Sequence, residues 1–188
     1  TGKLYSVQID PNEIAGIEAM DVKNHKSLAE IPEPIDYAVS AVPRQVAPRI
    51  VSDCVANGVG SISLFTSGFS ETGEELGTKL EAELKAIAEP SDIALVGPNC
   101  MGLYIPKSRM VTWTSASERT GPVAFVSQSG GHAQTLPAFS AGRGLRYSKV
   151  VSYGNALDLD ETDFLEYCAV DPETAVITTY IEGVKDGR

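Results

Sequence analysis

The residues with the clearest chemical potential are Ser127-Gln128-Ser129-Gly130-Gly131, which follow the apolar run Val123–Val126. Four apolar residues in succession are too few for a helix and suit a fully buried strand, and the small, polar residues after them make a tight turn. From His132 to Gly142 apolar residues recur at Leu136, Phe139 and Ala141, so a helix is expected to open from the turn with its first N–H groups unpaired. Those donors, the positive end of the helix dipole and the hydroxyls of Ser127 and Ser129 can hold an anion, and Gly130 and Gly131 permit close approach. The same residues also suit a plain strand-to-helix junction with serine as its cap. Pro137 lies inside this helix and should kink it or delay its start.

Elements must bring such a turn to a ligand, and the chain supplies them by alternation. Lys3–Val7 reads as a strand, Asp10-Pro11-Asn12-Glu13 as punctuation, Ile14–Met20 as short and mixed, and Ser27–Ile31 as one helical turn closed by Pro32 and Pro34. Strands are expected at Ile35–Val42, Val59–Phe65 and Ile93–Val96, with Met110–Thr114 as a final edge strand. The helices between them run from Pro43 to about Ala56, with Val46, Ile50, Val51 and Cys54 facing the core, and from Glu74 to Ala88, with Leu76, Leu80, Leu84 and Ile87 on one face. Asn57-Gly58 stops the first of these and Glu89-Pro90-Ser91 the second. The polar stretch 115–121 reads as a linker. Alternation then restarts with the strand at Val123–Val126, a strand at Ser148–Ser152, a helix at Asp163–Val170 and a strand at Ala175–Ile181. Strands alternating with helices of these lengths imply right-handed crossovers and parallel sheets covered on both faces, in two α/β units spanning 1–114 and 122–188.

In such sheets ligands sit beyond the carboxyl ends of the strands. Four loops there are rich in glycine, proline and small polar residues: Ala41-Val42-Pro43, Thr66-Ser67-Gly68-Phe69, Gly97-Pro98-Asn99-Cys100-Met101-Gly102 and the turn Ser127–Gly131. A formal charge of −10 argues against a nucleic-acid or anionic-membrane partner. Cys54, Cys100 and Cys168 have no paired spacing, which argues against a disulfide framework and a zinc site and fits a reducing cytoplasm; no residue is assigned to a metal. No apolar run is long enough to span a membrane and no signal peptide is visible.

Taken together, the loops resemble a known family. The chain is similar throughout to the α-subunit type region of nucleoside-diphosphate-forming acyl-CoA synthetases: succinyl-CoA synthetase and, more closely, ADP-forming acetate-CoA ligases. The likeness rests on Glu30-Ile-Pro-Glu-Pro-Ile-Asp36 before a strand ending Ala41-Val-Pro43, on Ser67-Gly-Phe69 with Glu71, and on Gly97-Pro-Asn-Cys-Met-Gly102. It continues through Ser127-Gln-Ser-Gly-Gly131, Ser152-Tyr-Gly-Asn155, Asp171-Pro-Glu-Thr174 and Tyr180-Ile-Glu-Gly-Val-Lys-Asp-Gly187. It implies a Rossmann-like CoA-binding domain followed by the start of a flavodoxin-like ligase domain. Pro43, Ser67, Gly68, Phe69, Pro98 and Asn99 match loops that line the CoA site. Ser127, Ser129 and Gly130 match the helix start that faces a phosphorylated histidine, and Glu182 matches the glutamate that orients that histidine.

The resemblance further implies a reaction that interconverts acyl-CoA, phosphate and ADP with a small carboxylic acid, CoA and ATP. It implies an ATP-grasp domain or β subunit that brings ATP or ADP with Mg2+, in a homo- or hetero-oligomer. Two parts of the pattern are expected outside these residues, a glycine-rich loop before Thr1 and the histidine loop beyond Arg188, so the chain reads as a fragment inactive alone. Asp10 or a neighbour stands where relatives often carry a lysine for a CoA phosphate. His25 reads as a solvated loop residue, His132 as no substitute for the missing histidine, Cys100 as a packed residue, Trp113 as packing at the domain border, and the acidic run Glu71–Glu83 as a solvated face. Two other readings stay open: a non-catalytic CoA-sensing module of a degenerate synthetase, such as one fused to a protein acetyltransferase, and a nicotinamide-nucleotide-binding domain.

Overall fold

Asp10 and Pro11 start the first helix instead of interrupting the chain. The Asp10 carboxylate accepts the Asn12 N–H at 2.9 Å and Pro11 takes the first helical position, where no N–H is required. The helix, α1 (Pro11–Ala19), lies between two short parallel strands, β1 (Tyr5–Val7) and β2 (Lys23–His25). The computed structural model describes residues 2–113 and 117–185. His25, expected in a solvated loop, ends β2 with its ring buried against the edge of Tyr5.

A parallel sheet follows, made of β3 (Tyr37–Ser40), β4 (Ser61–Leu64) and β5 (Ala94–Val96) side by side. Helix α2 (Ala47–Ala56) and helix α3 (Glu75–Ala88) supply the crossovers. Val51, Cys54, Leu80 and Leu84 pack with Ile62, Leu64, Phe69 and Leu95 in one core. Each fully buried leucine contributes about 1.5–3 kcal/mol. Helix α2 begins four residues later than expected because its first turn is built around Pro48, and Val46 and Leu76, assigned to the core faces, are exposed.

The second sheet has the order β10-β8-β9-β6-β7. Strands β8 (Thr120–Ser127), β9 (Tyr147–Ser152) and β10 (Val176–Tyr180) are parallel, linked by helix α4 (Gly130–Ala141) and helix α5 (Glu161–Val170). Because β8 is central, the chain reverses direction across the sheet there, and a crevice opens at the carboxyl ends of β8 and β10. Strands β6 (Gly102–Ile105) and β7 (Met110–Val111) extend this sheet antiparallel to β9. Met110 therefore pairs with Ile105 in the second sheet, not along the edge of the first. Trp113 packs against Tyr104 on one face of this sheet, with ring centroids 5.9 Å apart. The expected linker lies in part outside the described residues, and its last two residues belong to β8.

Helix α4 runs unbroken through Pro137 and starts at Gly130, two residues earlier than expected. It buries Ala133, Pro137 and Ser140, whereas Leu136 and Phe139 are exposed. Ser140 fits the buried face because its hydroxyl donates to the Leu136 carbonyl at 2.6 Å and lies 2.9 Å from the Tyr147 hydroxyl. Phe139 is covered by the Arg143 guanidinium, 3.8 Å from its ring centre. Helix α5 carries a capping box between Asp160 and Asp163.

The two units are joined by the irregular run 155–159. Asn155, Leu157 and Leu159 donate their N–H groups to the carbonyls of Pro98, Gly97 and Leu95, and the Leu95 N–H donates to the Asp158 carboxylate at 2.8 Å. Leu157 inserts into the core of the first unit. Among the described residues, no helix is long and apolar enough to cross a membrane.

Candidate active site between the two units

The turn after β8 and the loops of the first unit line one cleft. Its volume is about 600 Å³, and it is walled on one side by Phe65, Ser67, Ser70 and Glu71, on its floor by Asn99, Cys100 and Met101, and on the other side by Gln128–Gly131, Gln134 and Glu182. A second groove of about 430 Å³, lined by Ala41, Val42, Pro43, Thr66 and Ser67, shares Phe65 and Ser67 with it. A long ligand can therefore lie along this second groove with one end in the cleft.

The turn after β8 has the form expected, with one correction. Ser129 caps α4, its hydroxyl oxygen 3.4 Å from the His132 N–H and 3.0 Å from His132 Nδ1. It faces the cleft with Gly130 and Gly131. Ser127 does not. It is fully buried, and its hydroxyl donates to the Ser129 carbonyl at 2.7 Å, so it stiffens the turn and is not free for a ligand. Gly130 lies against Met101, where an added Cβ would come within 2.7 Å of Cγ.

Gln128 positions Glu182. The Gln128 side-chain oxygen accepts the N–H groups of Glu182 at 2.7 Å and Gly183 at 3.1 Å, while its own N–H donates to the Tyr180 carbonyl at 2.9 Å. This ties the loop after β10 to the turn after β8 and leaves the Glu182 carboxylate at the cleft. His132 stacks on Tyr180 with centroids 4.1 Å apart.

On the first unit, Ser67 and Asn99 face the cleft and Pro43 lines the adjoining groove. Phe69 is fully buried in the core and Pro98 is buried beneath the 155–159 run, so neither presents a side chain to a ligand. The N–H groups of Gly68 and Phe69 are both taken by the Glu71 carboxylate, and the Gly68 carbonyl accepts from Arg44 at 2.6 Å. The acidic run is thus more than a solvated face. Burial works against ionisation of Glu71, but the Asn155 amide and the Gly68 and Phe69 N–H groups hold its carboxyl below the ordinary range. Burial drives the Cys100 thiol up to about 12, and its sulfur points at the Leu64 and Val96 carbonyls, so it is packing and no nucleophile.

The CoA-binding domain family matches residues 3–106, over half of the chain. The chain belongs to that family. Residues 120–188 match the succinyl-CoA ligase like flavodoxin domain. It is 40% identical over 189 residues to acetate-CoA ligase (ADP-forming) I of Archaeoglobus fulgidus, covering 100% of this chain and 27% of that protein. It is 38% identical over 188 residues to the α subunit of acetate-CoA ligase (ADP-forming) I of Pyrococcus furiosus, covering 100% of this chain and 40% of the subunit. The fold superposes on a crystal structure from Pyrococcus horikoshii with a TM-score of 0.89 at 36% identity, covering 100% of this chain and 42% of the other. The dinucleotide forming acetyl-coenzyme A synthetase 1 of Ca. Korarchaeum cryptofilum gives a TM-score of 0.87 at 33% identity in its complex with phosphate and ADP, over 100% of this chain and 39% of that one. The chain thus spans 27–40% of the length of these curated relatives.

Sequence reasoning quoted Gln128, Asn155 and Met101 within its motifs but gave them no role. Glu71 carried a signal too: an acidic side chain next to a glycine-rich loop, where free N–H groups need acceptors.

Proposed function

We propose that this chain is the CoA-binding part of an ADP-forming acid-CoA ligase. The observation that carries the reading is the single cleft shared by Ser67 and Asn99 on one wall and the Ser129–Gly131 turn on the other. A thioester held along the groove at Pro43 and Ser67 would place its reactive carbon near an anion held by the turn. The groove suits CoA because it is partly apolar and continuous with the cleft through Phe65 and Ser67.

In this reading a phosphate oxygen attacks the thioester carbonyl, the C–S bond breaks, and the CoA thiolate leaves and takes up a proton. The acyl phosphate then gives its phosphoryl group to a histidine outside this chain, releasing the small carboxylic acid. Transfer to ADP, with Mg2+ on an ATP-grasp domain or subunit, forms ATP. The part played here is to hold and orient: the Ser129 hydroxyl and the Gly130 and Gly131 N–H groups meet the phosphoryl oxygens, and Glu182 orients the histidine. Such donors act on charge that is otherwise costly in a dry site. The phosphate and ADP complex of the Korarchaeum relative supports the choice of nucleotide.

Calorimetric titration of the protein with CoA and with NAD tests the reading. Submillimolar binding of CoA with none of NAD is expected. The reverse would overturn it in favour of a dinucleotide domain.

A further inference from the structure

Asn155 is the point where the loops of both units converge. Its N–H donates to the Pro98 carbonyl at 2.9 Å and its side-chain oxygen accepts from the Asn99 amide at 3.3 Å. Its amide nitrogen donates to Glu71 at 2.7 Å and to Glu81 at 2.9 Å, which uses both of its hydrogens. Each carboxylate in turn holds the loop beside it. Glu71 accepts from the N–H groups of Gly68 and Phe69, and Glu81 accepts from the N–H and hydroxyl of Ser70. Toward the other unit, the Tyr153 N–H donates to the Ser127 carbonyl at 3.1 Å, at the base of the turn. Between them Gly154 lies so close to the Pro98 and Asn99 carbonyls that no side chain fits there.

A short, continuous set of contacts therefore runs from the Ser127–Gly131 turn through 153–155 to the loop at 67–70. We infer that Asn155 is a positioning residue that sets the spacing between these two walls of the cleft, so that a group carried on the first is delivered to an anion held on the second. Only an amide serves here. It donates to two carboxylates while accepting from a third side chain, whereas aspartate has no proton to give and alanine leaves Glu71 and Glu81 facing each other.

The inference rests on the ligase reading, and the test separates the two. In the complete protein, phosphorylation by ATP requires no CoA, whereas phosphorylation by acetyl-CoA and inorganic phosphate requires both walls in register. Asn155→Ala is expected to lower kcat of the acetyl-CoA reaction by about 10²-fold, the effect of misplacing reacting groups by roughly 1 Å. KM for acetyl-CoA and the rate of phosphorylation by ATP should each change by less than about twofold. Glu81→Gln, which keeps the shape and removes one charged partner, should give the same split at about tenfold, and it serves if Asn155→Ala does not fold. Equal losses in both half-reactions accompanied by a lower Tm, or no loss in either, would overturn the inference. A wild-type protein lacking both half-reactions would overturn the functional reading and the inference with it.

Discussion

Ser127 donates its hydroxyl to the carbonyl of Ser129 at 2.7 Å, and this one contact divides the work of the two serines. Ser127→Ala removes one of two donors to that carbonyl, the Ala133 N–H at 3.1 Å being the other, and should destabilise the protein by about 0.5–1.5 kcal/mol. It keeps the cleft-facing donors in place. Ser129→Ala removes the cap and a donor to the anion, so phosphorylation of the complete protein should fall about tenfold or more with a comparable loss of stability. Urea unfolding and phosphoenzyme assays on the two variants check this, and the expected signature is a similar loss of stability with unequal loss of phosphorylation.

The cysteines should be silent. Burial pushes the thiols of Cys54 to about 11 and Cys100 to about 12, and raises that of Cys168 against the pull of Lys149. Thiolate is scarce at neutral pH and access is blocked. Titration with Ellman's reagent at pH about 7.5 should show almost no reaction in native protein and full reaction of all three once guanidinium unfolds it. Fast labelling of Cys100 in the native state would contradict its role as packing.

Much of this architecture was legible in the chain because local signals agree with the final structure. Val123–Val126 and Ile93–Val96 are short apolar runs bounded by turn residues, and both become buried strands. Misreadings arose where a distant partner decides. Gly102–Ile105 becomes a strand by pairing with Met110–Val111 on one side and with 150–152, far along the chain, on the other, and the second pairing, which carries it into the second sheet, has no local signal. The buried face of α4 was hidden because Ser140 is polar, yet Tyr147 satisfies its hydroxyl. At the site, the turn and Glu182 were visible from motif order, whereas the work of Asn155 and Glu81 depends on the units meeting and has no one-dimensional signature.

Glycine substitutions should separate close approach from mere flexibility. Gly154 has φ of 58°, and an added Cβ would lie 2.2 Å from the Pro98 carbonyl oxygen and 2.3 Å from that of Asn99. Gly154→Ala should cost about 3 kcal/mol or more and loosen the contact between the units. Gly16, in the interior of α1 with nothing within 4 Å of a Cβ, is the control. Gly16→Ala should stabilise the protein by about 0.5–1 kcal/mol. Thermal unfolding of both variants checks the opposite signs.

Glu71 links cleft geometry to acid stability, and the sign follows from its partners. Because its carboxyl is held below the ordinary value of 4.5 when folded, the ionised form stabilises the native state. That contribution is fully present above the unfolded value and is lost as pH falls through the folded one. Glu71→Gln keeps a side-chain acceptor but carries no charge, so it removes the pH-dependent part alone. The difference in stability between wild type and variant should be constant above pH about 5 and shrink steadily below about 4.5. Urea unfolding across that range checks it.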